Sequence, residues 1–168
     1  MPTHNFDMTQ DSADVQTELV RRHRAASLAA AGFLILDIAL VAIAFLAKER
    51  IFRPGDPALV MGLWIAVLVF GLGAFVIRRT KFNETRLKDI AALRGVSGLL
   101  KTLQDTTIKV ACIGGAIALM GFVITIRTGD WTNMLRAAGV SAIVLIYGFP
   151  SRRAWERVVQ RLAPDTGS

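Results

Sequence analysis

The sequence predicts an all-α integral membrane protein, with four transmembrane helices set as two hairpins and joined by a basic amphipathic cytoplasmic segment. Three observations carry this. The chain is 53% apolar with a mean hydropathy of +0.47, more than a soluble domain of this size carries. Its charges are gathered in blocks, separated by runs of 17 to 23 residues that hold almost none. A soluble helix instead alternates polar and apolar faces within each turn. Finally, Arg78–Lys109 is the one long charged segment between apolar runs. Two runs precede it and two follow, and it holds eight of the twenty Lys and Arg residues.

The formal net charge of +7 raises nucleic acid as a partner. The basic residues flank apolar runs, where they meet anionic lipid headgroups rather than line one soluble face, so nucleic acid is set aside. Cys112 is the single cysteine and lies inside an apolar run. No intrachain disulfide can form, and redox chemistry does not report the compartment.

Residues 1–24 read as a polar cytoplasmic tail. The first fifteen lack periodicity and are expected to be disordered. A helical pattern starts near Asp14, which suits an N-cap, and Arg21, Arg22 and Arg24 lead into the first apolar run. A twin-arginine export signal is a competing reading of Arg21-Arg22. The run that follows is long for a cleavable core, and further spans succeed it.

Residues 25–77 form the first transmembrane hairpin. Ala25 to Ala47 gives 23 residues with one charge, Asp37, or roughly 34 Å of helix, enough to cross the hydrocarbon core. Pro54 and Pro57 break the helix in the short polar turn that follows. Ala58 to Ile77 is uncharged. Gly71 and Gly73 near its end admit close helix approach, or simply reflect the frequency of glycine in membrane helices.

Residues 78–106 are the linker. Leu87, Ile90, Ala91, Val96, Leu99, Leu100 and Leu103 recur at helical spacing among charged neighbours. Two readings fit: amphipathic helices lying on the membrane surface and broken near Gly95 or Gly98, or cytoplasmic extensions of the flanking spans that turn at those glycines.

Residues 107–150 form the second hairpin. In its first span, Ala111 with Gly115 and Gly114 with Ala118 make small-residue pairs on adjoining faces. That marks this helix as the packed centre of the bundle. A very short turn at Arg127, Gly129 and Asp130 leads to the last span, which carries Arg136 near its start and ends at Pro150.

Residues 151–168 form a basic tail. Trp155, Val158, Val159 and Leu162 fall on one helical face, with Arg152, Arg153, Arg157 and Arg161 around it. This helix suits an anionic membrane surface, or else it packs on the central segment. Together with Arg78 and Arg79, these four arginines are the expected membrane-surface basic residues.

Four spans put both termini and the linker on one side. That side carries fifteen of the twenty Lys and Arg residues, so the positive-inside rule makes it cytoplasmic, in a cell inner membrane. The halves also share an order of elements. Arg78-Arg79 leads to Arg86-Leu87, and Arg152-Arg153 leads to Arg161-Leu162. A parallel duplication explains this, and so does the general likeness of membrane hairpins.

Asp37 is the sharpest feature. A charged Asp at mid-span costs about 2.5–3.5 kcal/mol on insertion scales, so this one is neutral or partnered and faces the protein interior. Arg136 lies about 7–8 Å away in depth at helical rise. Thr125, Ser141 and Tyr147 are hydroxyl alternatives. Asp37 is then a proton or cation site, or a structural hydrogen-bonding residue that locks the bundle or meets another subunit. No residues expected to act as catalysts, bind a cofactor or ligate a metal stand out. His4 and His23 lie outside the spans, so they cannot hold a haem within the bilayer. No nucleophile–base pair or phosphate loop is recognisable. The expectation is a non-enzymatic accessory or assembly subunit that packs against other membrane subunits or itself. The alternative is a small oligomeric transporter or channel using Asp37. A sensor acting through the basic linker and tail is the third reading.

Overall fold

A computed structural model describes residues 4–47, 50, 52–81, 84–153 and 155–157. Four helices account for most of them: α1 (His4–Leu46), α2 (Pro57–Lys81), α3 (Glu84–Thr128) and α4 (Trp131–Gly148). Three stretches within them are long and apolar enough to cross a membrane: Val15–Leu46, Pro57–Thr80 and Val96–Thr128. The chain is therefore all-helical and of membrane-spanning character.

α3 is the centre of the assembly and packs against each of the other three helices, most extensively against α4. Half of its most apolar stretch (50%) is buried, against 11% in α2. The small residues expected to mark this helix explain the difference. A Cβ at Gly114 would lie 2.8 Å from Leu145 of α4, and one at Gly115 would overlap the ring of Phe33 of α1. At Gly121 it would overlap Ala137. Each glycine removes the side chain that would hold two helix backbones apart. In α2, by contrast, a Cβ at Gly73 meets nothing, and one at Gly71 makes only ordinary contact with Val140. α1 and α2 follow one another in the chain, yet each packs chiefly on α3 rather than on the other. The two halves of the chain thus have different surroundings.

Contacts fix the helix directions. Val67 and Ala74 of α2 cluster with Ile117 and Val110 of α3, and Ala30 of α1 with Ala111 and Leu145. Gly148 beside Val110 and Ala137 beside Gly121 set α4 antiparallel to α3, and Leu19, Ala30 and Leu40 cluster in order with Leu99, Ala111 and Ala118, which sets α1 parallel to it. The two connections on one side pack together. Arg53 N–H donates to Ile126 O at 2.9 Å, and Phe45 meets Trp131 edge-on at 5.4 Å. Local chemistry builds both turns. Asp56 caps α2, its Oδ1 accepting from Ala58 N–H at 2.9 Å, with Pro57 in the first turn where no amide hydrogen is needed. Gly129, at φ +71°, ends α3 with a left-handed residue whose N–H donates to Thr125 O.

On the opposite side α1 and α3 run on past the apolar band. They are about 64 and 67 Å long at 1.5 Å per residue, twice the thickness of a hydrocarbon core. There a second core forms from Leu19, Ala26, Leu99, Leu100, Leu103 and Trp155. Polar links tie its rim: Arg22 pairs with Glu18 at 2.7 Å and reaches Gln104 at 3.3 Å, while Ser97 Oγ donates to Glu18 at 3.1 Å.

Three expectations change. The helix starts at His4, not near Asp14. Once nucleated downstream, a helix extends at little cost. α3 runs unbroken through Gly95 and Gly98, and the change from one helix to the next falls between Lys81 and Glu84. Each glycine costs about 1 kcal/mol in a helix interior, which burial of Leu99, Leu100 and Leu103 offsets. In the tail, Trp155 turns into the bundle with 2% exposure, so this ring is not on a membrane surface. Val158, Val159, Arg161 and Leu162 lie outside the described residues.

Candidate functional site

α1 buries one stripe: Leu19, Ala26, Ala30, Asp37, Leu40 and Ala44. Their spacing of three, four and seven residues makes one helical face. That periodicity carries Asp37 into the bundle, at 3% exposure, level with Ser141 of α4. Ser141 Oγ in turn donates to the Gly114 carbonyl of α3 at 2.9 Å. A polar thread therefore crosses three helices: the Asp37 carboxyl, the Ser141 hydroxyl and the Gly114 carbonyl. Gly114 makes it reachable, because its missing side chain lets α4 close on α3 at that level.

Ser141 has one proton to give, and it is directed at Gly114. The Asp37 carboxyl sits beside this hydroxyl. Asp37 Oδ1 is left without a partner. It is the one fully buried side-chain nitrogen or oxygen among the described residues in that state. The other buried hydroxyls are satisfied within their own helices: Thr106 by Thr102 O, Thr107 by Leu103 O and Thr125 by Gly121 O.

Asp37 lies on the floor of an open groove of about 730 Å³ between α1 and α4. The walls are apolar, including Leu34, Ile38, Val41, Leu135 and Ala138, with Phe45 and Trp131 at one end. Gly139 also lines it, and a Cβ there meets nothing within 4 Å. The arrangement can accept one hydrogen bond or exchange one proton. A calcium or magnesium ion does not fit, since each takes about six or more oxygens and Ser141 and Gly114 are already bonded to each other. Among the described residues no three His, Cys, Asp or Glu side chains gather as a metal site.

Arg136 is exposed and does not join Asp37; its charge acts on Asp130 instead. Of the three hydroxyl alternatives, Ser141 is the one beside the carboxyl. Tyr147 stacks on Phe75 at 5.2 Å and receives the Arg78 guanidinium 4.3 Å from its ring centroid. Arg79, Arg152 and Arg153 are exposed. Arg152 pairs with Glu156 at 2.7 Å, and Arg157 Nε donates to Arg153 O at 3.2 Å. Sequence reasoning did not bring His23 into play, yet its Nε2 lies 3.0 Å from Pro150 O and its ring meets Trp155.

Compared with known proteins, the chain matches no family model, no curated relative and no solved structure.

Proposed function

We propose that the protein is a non-catalytic accessory or assembly subunit of a membrane complex, which seats a helix of another subunit in the groove between α1 and α4. The unpartnered Asp37 Oδ1 carries this reading. Hydrocarbon contains no water to satisfy a buried acceptor, and lipid tails bring no donor. A neighbouring helix that fills the apolar groove and parts its lining enough to bring a hydroxyl, amide or basic side chain to this buried oxygen completes the pair. The chain crosses the inner membrane four times, with both termini and the α2–α3 junction in the cytoplasm. Fifteen of twenty basic residues on that side support the orientation. α4 is 18 residues long, about 27 Å. It supports a fourth span because it lies along α3 from Val110 to Gly121 and so shares that helix's depth.

The test is recovery of the tagged protein from its native membrane in mild detergent, with native mass determination. A stoichiometric larger subunit is expected, lost in Gly139→Leu, which fills the groove and leaves the fold intact. Recovery of homo-oligomers alone sinks the reading. The second reading, a small oligomeric transporter or channel, is favoured by the same carboxyl, since intramembrane acids mark ion and proton paths. Loss of a proton or cation flux from liposomes in Asp37→Asn, with the fold kept, would establish it.

A further inference from the structure

The run Arg21-Arg22-His23-Arg24 splits into two pairs with opposite fates. Arg22 and His23 turn inward. Arg22 is held by Glu18 and Gln104, and His23 by Pro150 O and Trp155. Arg21 and Arg24 turn outward, exposed, three residues apart and hence on one face. Glu18, the nearest acid, is already engaged by Arg22 and Ser97. The Arg21 charge also acts on Glu18 at a distance, but neither outer guanidinium makes a hydrogen bond or close ion pair among the described residues.

They rim a shallow concavity of about 610 Å³, whose apolar surface includes Val20, Ala25 and Leu28. The same face continues down the helix as Leu28, Ile35 and Leu46, exposed by 64%, 67% and 81%. It lies across α1 from the buried stripe that carries Asp37, and it is distinct from the α1–α4 groove. Arg24 stands immediately before the apolar run, and Ile35 lies about 16 Å farther along the axis. Two forked cations therefore sit at the head of a long unpacked apolar stripe.

We propose that Arg21 and Arg24 bind the phosphate of an anionic phospholipid, whose acyl chain lies along Leu28 and Ile35. Guanidinium groups match phosphate oxygens in paired hydrogen bonds. The stripe beneath them selects a lipid over free phosphate, because it adds alkyl burial that an inorganic anion cannot use. Fixing one lipid at this point also sets the depth of α1 in the bilayer.

The experiment uses the purified full-length protein in mild detergent with added phosphatidylglycerol or phosphatidylcholine, read by native mass spectrometry. Retention of phosphatidylglycerol over phosphatidylcholine is expected. R21Q/R24Q should weaken it about tenfold to thirtyfold, from about 1 kcal/mol for each arginine. R50Q/R53Q, which removes an exposed pair at the opposite turn, should leave it unchanged, and R21K/R24K should keep a fraction of it. Equal retention of both lipids overturns the proposal. So does equal loss in both glutamine variants, or displacement by millimolar inorganic phosphate. Unchanged helical content of R21Q/R24Q by circular dichroism separates lost binding from lost fold.

Discussion

His23 of α1 meets Trp155 of the C-terminal segment edge to face, with ring centroids 5.6 Å apart. Its Nε2 lies 3.0 Å from Pro150 O, one turn earlier in the same segment. These two contacts hold Pro150 and Trp155 against the extended helices, where Trp155 completes the cluster of Leu19, Leu99, Leu100 and Leu103.

Trp155→Ala should therefore destabilise the protein by about 3–5 kcal/mol, the range for removing a buried aromatic side chain from a core in water. Equilibrium unfolding in mild detergent measures it. A loss below about 1 kcal/mol would mean the segment does not hold the extension together.

Gly121 and Gly139 give opposite expectations from the same chemical change. A side chain at Gly121 runs into Ala137 at the α3–α4 contact, while one at Gly139 enters open space. Gly121→Leu should cost about 1–3 kcal/mol by overpacking. Gly139→Leu should be neutral or gain up to about 1 kcal/mol by removing a helical glycine. Thermal unfolding of both variants side by side would show it, and a reversed order would refute the assigned packing.

These contrasts show what the sequence could and could not carry. The pairs Ala111–Gly115 and Gly114–Ala118 marked α3 as the packed centre, because small residues at helical spacing have few uses besides close approach. The continuous path of α3 through Gly95 and Gly98 was not legible. A glycine's local cost is written in the sequence, but the burial of Leu99 and Leu103 that offsets it depends on α1 and on Trp155. At the candidate site, Asp37 stood out by its cost in lipid. Its neighbour did not, because Arg136, Thr125, Ser141 and Tyr147 differ in rotation about their helices, which depends on packing. The basic run at Arg21–Arg24 read as one cluster, whereas helical rotation divides it into an inner and an outer pair.

Asp130 caps α4, accepting from Thr132 N–H at 3.0 Å and from Thr132 Oγ1 at 2.7 Å. The Thr132 hydroxyl bond, then its amide, hold the carboxyl below the ordinary carboxylate range. A lowered value in the fold means the cap contributes fully above the unfolded-state value and is lost as pH falls through the folded one. The first turn of α4 should stay protected at pH 5 and above and fray only under acid more extreme than an ordinary aspartate needs. Amide exchange at Thr132 across that range reports it. Asp130→Ala should show fast exchange at every pH, and fraying that begins above pH 5 would be inconsistent with this cap.

Ser141→Ala and Asp37→Asn separate the two halves of the polar thread. Ser141→Ala removes the link to Gly114 and the hydroxyl beside Asp37, so it should cost about 0.6 kcal/mol and at most about 1.7, the average and maximum found for hydrogen bonds between membrane helices. Asp37→Asn keeps the shape and offers Ser141 both a donor and an acceptor, so it should cost less than Ser141→Ala. If Asp37 instead held a full negative charge stabilised by its surroundings, the asparagine would be the more damaging of the two. A double-mutant cycle in a bilayer or mild detergent isolates the coupling, because each change is read with the other already made. Coupling near zero would mean that Asp37 and Ser141 are neighbours without a bond, and the thread would then begin at Ser141.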